Sequence, residues 1–270
     1  MKPSATSPHR RPTRQRKGKP ATDSTQTERI NRYLARCGLC SRREADRWIV
    51  AGRVTLNGVP ITTLGVQVGS RDVVTVDGKK VTPNTSYTYL LYHKPDGLLC
   101  ARSDPRGRPL IYDMLEIAPN VQSVGRLDMD SEGLLLLTDD GGLAQTLMRP
   151  EFAVEREYRV RITGHLALAS MQRLRAGDID LGDGEQSAPW RLVVDAETGG
   201  HSWITVTLTR GHWREVRRTL EAVGHTVRRL IRTRFGPLKL DETLPRGALR
   251  PLNTNEKRHL RGVGKRPEPA

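Results

Sequence analysis

The chain has 270 residues, 36% of them hydrophobic, which is enough for a core shared between a small and a medium-sized module. Its 45 Lys+Arg against 30 Asp+Glu leave a formal charge of +15, a balance that points to a polyanionic partner: RNA, DNA or an anionic membrane. No apolar run approaches the ~20 residues of a membrane span and none follows the basic start of the chain, so a membrane protein is not expected and the cytoplasm is. Three cysteines, an odd number, make no disulfide framework and fit a reducing compartment.

The charge is unevenly placed. Residues 1–27 carry seven basic residues against Asp23 in a Pro/Ser/Thr-rich context, and a disordered basic arm is expected there. Residues 28–81 hold ten basic and five acidic groups, and residues 256–270 five basic and two acidic. By difference, residues 82–255 are near +1. The arm and first module therefore supply the grip on a polyanion, and the larger region reads as a shaped site. We divide the chain into an arm (1–27), a first module (28–85), a larger domain (86–252) and a basic tail (253–270).

Ile30, Tyr33, Leu34 and Cys37 recur at helical spacing, which predicts a short amphipathic helix from Glu28 to Gly38 with Arg29, Arg32 and Arg36 on its other face. Ser41 and Glu44 form a capping-box pattern ahead of a second helix whose apolar face is Ala45, Trp48 and Ile49. Arg42, Arg43 and Arg47 fall away from that face. Two strand pairs follow, turning at Asn57-Gly58 and Asp77-Gly78. An arginine face is often only a solvated surface. Two such faces on adjacent short helices before a small β-unit, with Ser-Arg-Arg-Glu-Ala and Gly-Arg-Val-Thr-Leu-Asn-Gly, resemble the αL RNA-binding motif found in a small-subunit ribosomal protein and in RNA-modifying enzymes. The resemblance implies that Arg32, Arg36, Arg42, Arg43 and Arg47 face the backbone of folded RNA, read by shape and phosphate.

Cys37-Gly-Leu-Cys40 has zinc or redox spacing, but a structural zinc needs four ligands and the sequence offers no second Cys pair and no His-x₃₋₅-His. Core cysteines beside a helix end are the better account.

In the larger region, strand-like runs appear at 87–92, 134–138, 157–162, 191–195, 203–209 and 227–233, and helical patterns at 142–148, 167–175 and 213–223. Strands outnumber helices without strict alternation, so the expected fold is α+β: a mixed, largely antiparallel sheet flanked by helices. Between residues 124 and 139 a polar, Gly-bounded loop runs into an apolar strand, which sets its carboxylates at the entrance of a rigid element. Asp128 and Asp130 could be turn-forming residues. They could also open a calcium loop with Glu132, Gly133 and Asp139, but position five is Glu, position twelve lacks its Glu, and four leucines follow the glycine.

The third reading is catalytic. Gly125-Arg126-Leu127-Asp128 followed by Ser131-Glu132-Gly133, four leucines and Thr138-Asp139-Asp140-Gly141 resembles the signature of the RsuA-type ribosomal RNA pseudouridine synthases. Glu155-Arg156-Glu157-Tyr158 and Arg214-Glu215-Val216-Arg217-Arg218 resemble two further motifs of that family, in the same order. The resemblance implies that Asp128 is the essential carboxylate, Tyr158 the active-site tyrosine and Arg217 the active-site basic residue. The family reaction breaks an N-glycosidic bond, turns the uracil ring and rejoins it through carbon, on a nucleotide everted from folded RNA. It needs no redox cofactor and no metal. A carboxylate works as nucleophile or base only when ionised, so Arg126 and Arg217 are expected to hold Asp128 deprotonated. Tyr158 shares one face of its strand with Val160 and Ile162, a core pattern in itself; the family places its ring against the base.

Thr209 to Trp213 departs from the family pattern around Gly211, and His93 stands where Asn is common. The loops at 100–109, 235–238 and 244–247 resemble members acting on the large subunit, so a monomer working on large-subunit ribosomal RNA or its precursor particle is expected. Small-subunit specificity, and a noncatalytic RNA-binding assembly factor, are the alternatives. An RNA methyltransferase would need a glycine-rich cofactor loop after a strand, and none is evident.

Overall fold

The computed structural model describes residues 27–182 and 184–264. The expected disordered arm lies outside them, apart from its last residue. The first module runs β1 (Glu28–Arg29), α1 (Ile30–Arg36), α2 (Arg42–Val50), β2 (Val54–Leu56), β3 (Val59–Ile61), β4 (Gln67–Val68), β5 (Val74–Val76) and β6 (Lys79–Val81). Helix α1 starts two residues later than its periodicity predicts, because Glu28 and Arg29 pair with β4. The capping box is half formed. Ser41 accepts the Glu44 amide, but the Glu44 carboxylate takes the Trp48 indole N–H at 3.0 Å instead of turning back to Ser41. Both hairpins turn where expected, with Asn57-Gly58 and Asp77-Gly78 at positive φ. Ile30, Leu34, Ala45, Ile49, Val54 and Val74 form a core of their own under the four-stranded sheet β3-β2-β5-β6.

The larger domain runs β7 (Tyr89–Lys94), β8 (Gln122–Ser123), β9 (Glu132–Thr138), α3 (Gly141–Met148), β10 (Arg156–Thr163), α4 (Leu168–Ala176), β11 (Arg191–Thr198), β12 (His201–Leu208), α5 (Glu215–Ala222), β13 (Val227–Phe235), β14 (Leu238–Lys239), β15 (Leu249–Pro251) and α6 (Thr254–Gly262). Its sheet has the order β11-β12-β10-β13-β9-β7-β15, with β8 on β9 and β14 on β13. Only β13 and β9 run parallel, over Ile231↔Glu132 and Arg232↔Gly133. The α+β, largely antiparallel expectation holds.

The leucine run belongs to a central strand buried on both faces. Leu135 and Leu137 enter the core shared with Tyr158, Val160, Ile162 and α5. Leu134 and Leu136 enter a second core on the opposite face, with Tyr89, Leu91, Phe235 and Leu260. The expected tail at 253–270 is corrected in its first part. Asn253 and Glu256 build a full capping box for α6, whose Leu260 is fully buried in that second core, so this helix closes the larger domain. The basic residues that suggested a tail lie on its outer side or beyond residue 264.

Candidate active site

The loop 124–131 enters β9 through two special backbone positions. Gly125 sits at φ +72°, and Gly133 at φ +109° lies so close to β13 that an added Cβ would meet the Arg232 carbonyl oxygen within 2.4 Å. Only glycine permits that approach. Within the loop, the Ser131 amide donates to the Asp128 carbonyl at 3.1 Å and Gly97 to that of Met129 at 2.7 Å. Sequence reasoning missed the group that organises this turn. The Lys94 side chain is fully buried, and its Nζ donates to the carbonyls of Pro95, Asp128 and Ser131 at 2.8 to 3.1 Å, with Met129 at 3.4 Å. Burial pulls its ammonium below the ordinary lysine value, against the charges around it, Asp128 and Asp130 among them. The signal was available: a lysine closing an otherwise apolar strand.

Asp128 lies on the wall of a pocket of about 430 Å³, which Tyr158, Arg126, Arg232 and the segment 211–216 also line. Its carboxylate has no hydrogen bond or ion pair among the described residues and stays open to the pocket. Tyr158 is 9% exposed and stands on β10 with Val160 and Ile162 on the same buried face, as its alternation predicts.

Arg217 is where the expectation needs correcting. Its Nε lies 3.3 Å from Asp130 Oδ2, its Nη2 donates to the Asp130 carbonyl at 2.5 Å and its Nη1 to that of Val227. It makes no ion pair with Asp128 and does not line the pocket. Arg214, one turn earlier, binds Asp130 through both terminal nitrogens at 3.0 Å and does line the pocket. Its left-handed backbone, φ +50°, is why α5 starts at Glu215 and not at Trp213. Arg126 is exposed at the pocket rim and forms no ion pair among the described residues.

The electrostatics follow from this placement. Burial raises the Asp128 carboxyl above its ordinary value; Arg214, Arg217 and Arg126 pull it down and Asp130 pushes it further up. The nearby arginines thus act on Asp128 in the expected direction, but burial outweighs them, and the Arg214 and Arg217 side chains bond its neighbour rather than Asp128 itself. Burial also pushes Asp130 up, but the Arg214 hydrogen bonds and the Arg217 charge outweigh it and hold that carboxyl low.

The departures from the family pattern fall at a strand-to-loop contact and at the pocket rim. His93 Nδ1 lies 2.7 Å from the Leu244 carbonyl oxygen, tying β7 to the segment before β15. His212 lies 2.5 Å from Glu185, which also takes Arg218 at 2.7 Å, while Trp213 stands at the pocket rim, 66% exposed.

A second concavity of about 970 Å³ lies between α2 and the larger domain. Arg42, Arg43 and Arg47 line it from the first module, Arg102 and Arg126 from the other side. Arg42 and Arg43 are exposed and make no ion pair among the described residues; Arg47 meets Glu44 at 3.0 Å. Arg32 and Arg36 are not brought there, since both are drawn to Glu28, at 3.5 and 2.5 Å. Cys40 is buried in the first module's core and Cys37 is half-buried beside it; burial pushes both thiols up to about 11.

Comparison with known proteins bears on this arrangement. Residues 88–222 match the RNA pseudouridylate synthase family and residues 28–74 the S4 domain. The chain is 42% identical to the ribosomal large subunit pseudouridine synthase B of Salmonella typhimurium over 245 residues, covering 88% of this chain and 83% of that one. It is 42% identical to the protein of that name from Haemophilus influenzae over 244 residues, 87% of this chain and 67% of that one. A crystal structure of a pseudouridylate synthase superposes with a TM-score of 0.62 at 28% identity, covering 86% of this chain and 99% of that one. With its matching motifs, its sheet and its carboxylate-bearing pocket, the chain belongs to the RNA pseudouridylate synthase family and carries an S4 domain ahead of the synthase domain.

Proposed function

We infer that this protein isomerises one specific uridine of large-subunit ribosomal RNA to pseudouridine, with Asp128 as the reacting carboxylate. The observation that carries the reading is the placement of that carboxylate: unpaired among the described residues, half-buried, and on the wall of a pocket that Tyr158 also lines. The names of these relatives support the large subunit.

The uridine is stacked in folded RNA and must be extruded first, at a cost of a few kcal/mol offset by phosphate contacts elsewhere. We assign those contacts to Arg42, Arg43 and Arg47 on the module at 28–85, with Arg126 at the junction of cleft and pocket. Arg32 and Arg36 contribute at its outer side. In the domain from 86 through α6, the everted base packs on the Tyr158 ring, a stacking contact of ~1 to 3 kcal/mol. Asp128 then acts on the nucleotide as nucleophile or base. Arg214 and Arg217 clamp Asp130 and so hold the turn that aims Asp128. The residues at hand suffice for an isomerisation, and we assign no cofactor and no metal to it. A monomer acting in the cytoplasm is part of the same reading. No helix among the described residues is long and apolar enough to cross a membrane.

Pseudouridine mapping on ribosomal RNA from cells lacking this protein tests the proposal. One large-subunit site should lose its modification, regain it with the wild-type gene and fail to regain it with Asp128→Asn. Full restoration by Asp128→Asn would establish the alternative, a noncatalytic assembly factor.

A further inference from the structure

One deeply buried cation of the pocket is used by neither the motifs nor the mechanism above. Arg232 is 2% exposed, and it is one of the residues that line the pocket. In the antiparallel pairing of β10 with β13 it stands directly opposite Tyr158, and directly paired residues project from the same face of a sheet. The pairing shifts register between Glu157 and Tyr158, Glu157 opposing Arg234 and Tyr158 opposing Arg232. Such an irregularity re-aims side chains, and it occurs often beside active sites.

The guanidinium is held by its inner edge. Nε donates to the Leu134 carbonyl at 2.7 Å, and the carbon of the fork lies 5.2 Å from the centre of the Phe235 ring. Nη2 is buried and has no hydrogen-bond partner, and Arg232 forms no ion pair with any carboxylate among the described residues. The nearby Arg156 is a second cation without a carboxylate, bonded to the Val154 and Thr209 carbonyls. Burying a cation without a counter-charge costs several kcal/mol, and a single carbonyl bond with an idle donor does not explain its retention. A pre-aimed donor of this kind is what stabilises charge that appears only during a reaction.

We propose that Arg232 is a further catalytic residue, donating a hydrogen bond from Nη2 to a carbonyl oxygen of the everted uracil as the ring becomes anionic. This rests on the pseudouridine synthase reading. When the C1′–N1 bond breaks, its electron pair stays with N1, and the charge of the detached uracil spreads to O2 and O4. The bond then re-forms at C5, which gives up its proton while N1 takes one up, so atoms and electrons balance without a co-reactant. Attack of Asp128 on the ring at C6 likewise moves an electron pair toward O4. Each route that Asp128 can initiate therefore brings negative charge to a carbonyl oxygen, and a base lying on Tyr158 turns its edge toward the residue opposite Tyr158. The phosphates stay at the mouth, within reach of Arg126 rather than Arg232.

The test uses the full chain and a ribosomal RNA transcript containing the mapped uridine, under single-turnover conditions, with that uridine unmodified, 2-thio or 4-thio. Sulfur accepts hydrogen bonds poorly but carries negative charge well, so slowing by sulfur marks a lost contact and not a poorer leaving group. For the wild type, one of the two thio substitutions is expected to slow the reaction at least about tenfold. Arg232→Gln should react roughly 10²- to 10³-fold more slowly on the unmodified transcript, bind RNA as tightly as wild type, and lose its sensitivity to that same sulfur. A wild-type rate for Arg232→Gln, or an equal sulfur effect in both proteins, would overturn the assignment. If the variant does not fold, the wild type alone decides, since insensitivity to both sulfurs excludes the contact. Absence of any product from wild type on the unmodified transcript would instead sink the underlying pseudouridine reading, and Arg232 with it.

Discussion

The α2 face and the pocket are both rich in arginine, and they use it in opposite ways. On α2, Arg42, Arg43 and Arg47 are exposed and at most loosely paired, so each can adapt to a phosphate, and each is worth little until one arrives. Lining the pocket, Arg214 and Arg232, and beside it Arg217, are held by Asp130 or by backbone carbonyls, which fixes them before any substrate enters. Under the proposed function the difference makes grip and chemistry separable: exposed surface charge supplies affinity, and buried, oriented charge supplies rate.

The sharpest way to break that comparison is Asp128→Asn. Single-turnover pseudouridine formation is expected to fall by about 10⁴-fold or more, with RNA affinity unchanged in a filter-binding titration. A parallel loss of affinity would mean that the two regions are not separate. The same substitution should not destabilise the protein. The folded-state pKa of Asp128 is raised, so its charge weakens the fold at neutral pH, and that penalty vanishes as pH falls below the unfolded value. Thermal unfolding of Asp128→Asn at pH 7 should therefore give a Tm no lower than wild type.

Lys94→Met should be the most costly change to the scaffold. It strips the Asp128, Met129 and Ser131 carbonyls of their shared donor, and a loss on the order of 3 kcal/mol is expected in denaturant titration, with activity falling as well. Stability equal to wild type would show that the turn is held by its backbone alone. Arg42→Ala with Arg43→Ala should weaken RNA binding, lower the slope of log affinity against log salt by about 2, and leave the saturated single-turnover rate intact.

The smallest expected effect concerns pH. Activity should rise with pH through the elevated pKa of Asp128, because only its ionised form reacts. Asp130→Asn removes a like charge that raises Asp128 and frees Arg214 and Arg217, so the acid limb of the rate profile should move to lower pH. Movement to higher pH would mean that the clamp matters chiefly for positioning the turn.

How far the molecule was readable depends on whether neighbours in sequence are neighbours in space. The two Asn-Gly and Asp-Gly turns, the strand pattern of Tyr158, Val160 and Ile162, and the cap at Ser41 are local, and all form as periodicity and turn chemistry predict. The start of α1 and the helix at Thr254–Gly262 were misplaced because a distant partner decides each one, β4 for Glu28 and Arg29 and the second core for Leu260, and the start of α5 because Arg214 takes a left-handed backbone.

The amino-acid sequence by itself determined the module order, the α+β class, the family through its three motifs, and Asp128 as the carboxylate at a strand entrance. Only the tertiary structure decided which charge meets which. It gave Arg217 to Asp130, placed Lys94 under the turn, and set Arg232 beside Tyr158 with a donor to spare. The reason is physical. Backbone periodicity and turn preference act over a few residues and are written into composition, whereas the contacts of Lys94 with Asp128, Arg217 with Asp130 and Arg232 with Leu134 span 34, 87 and 98 residues of chain.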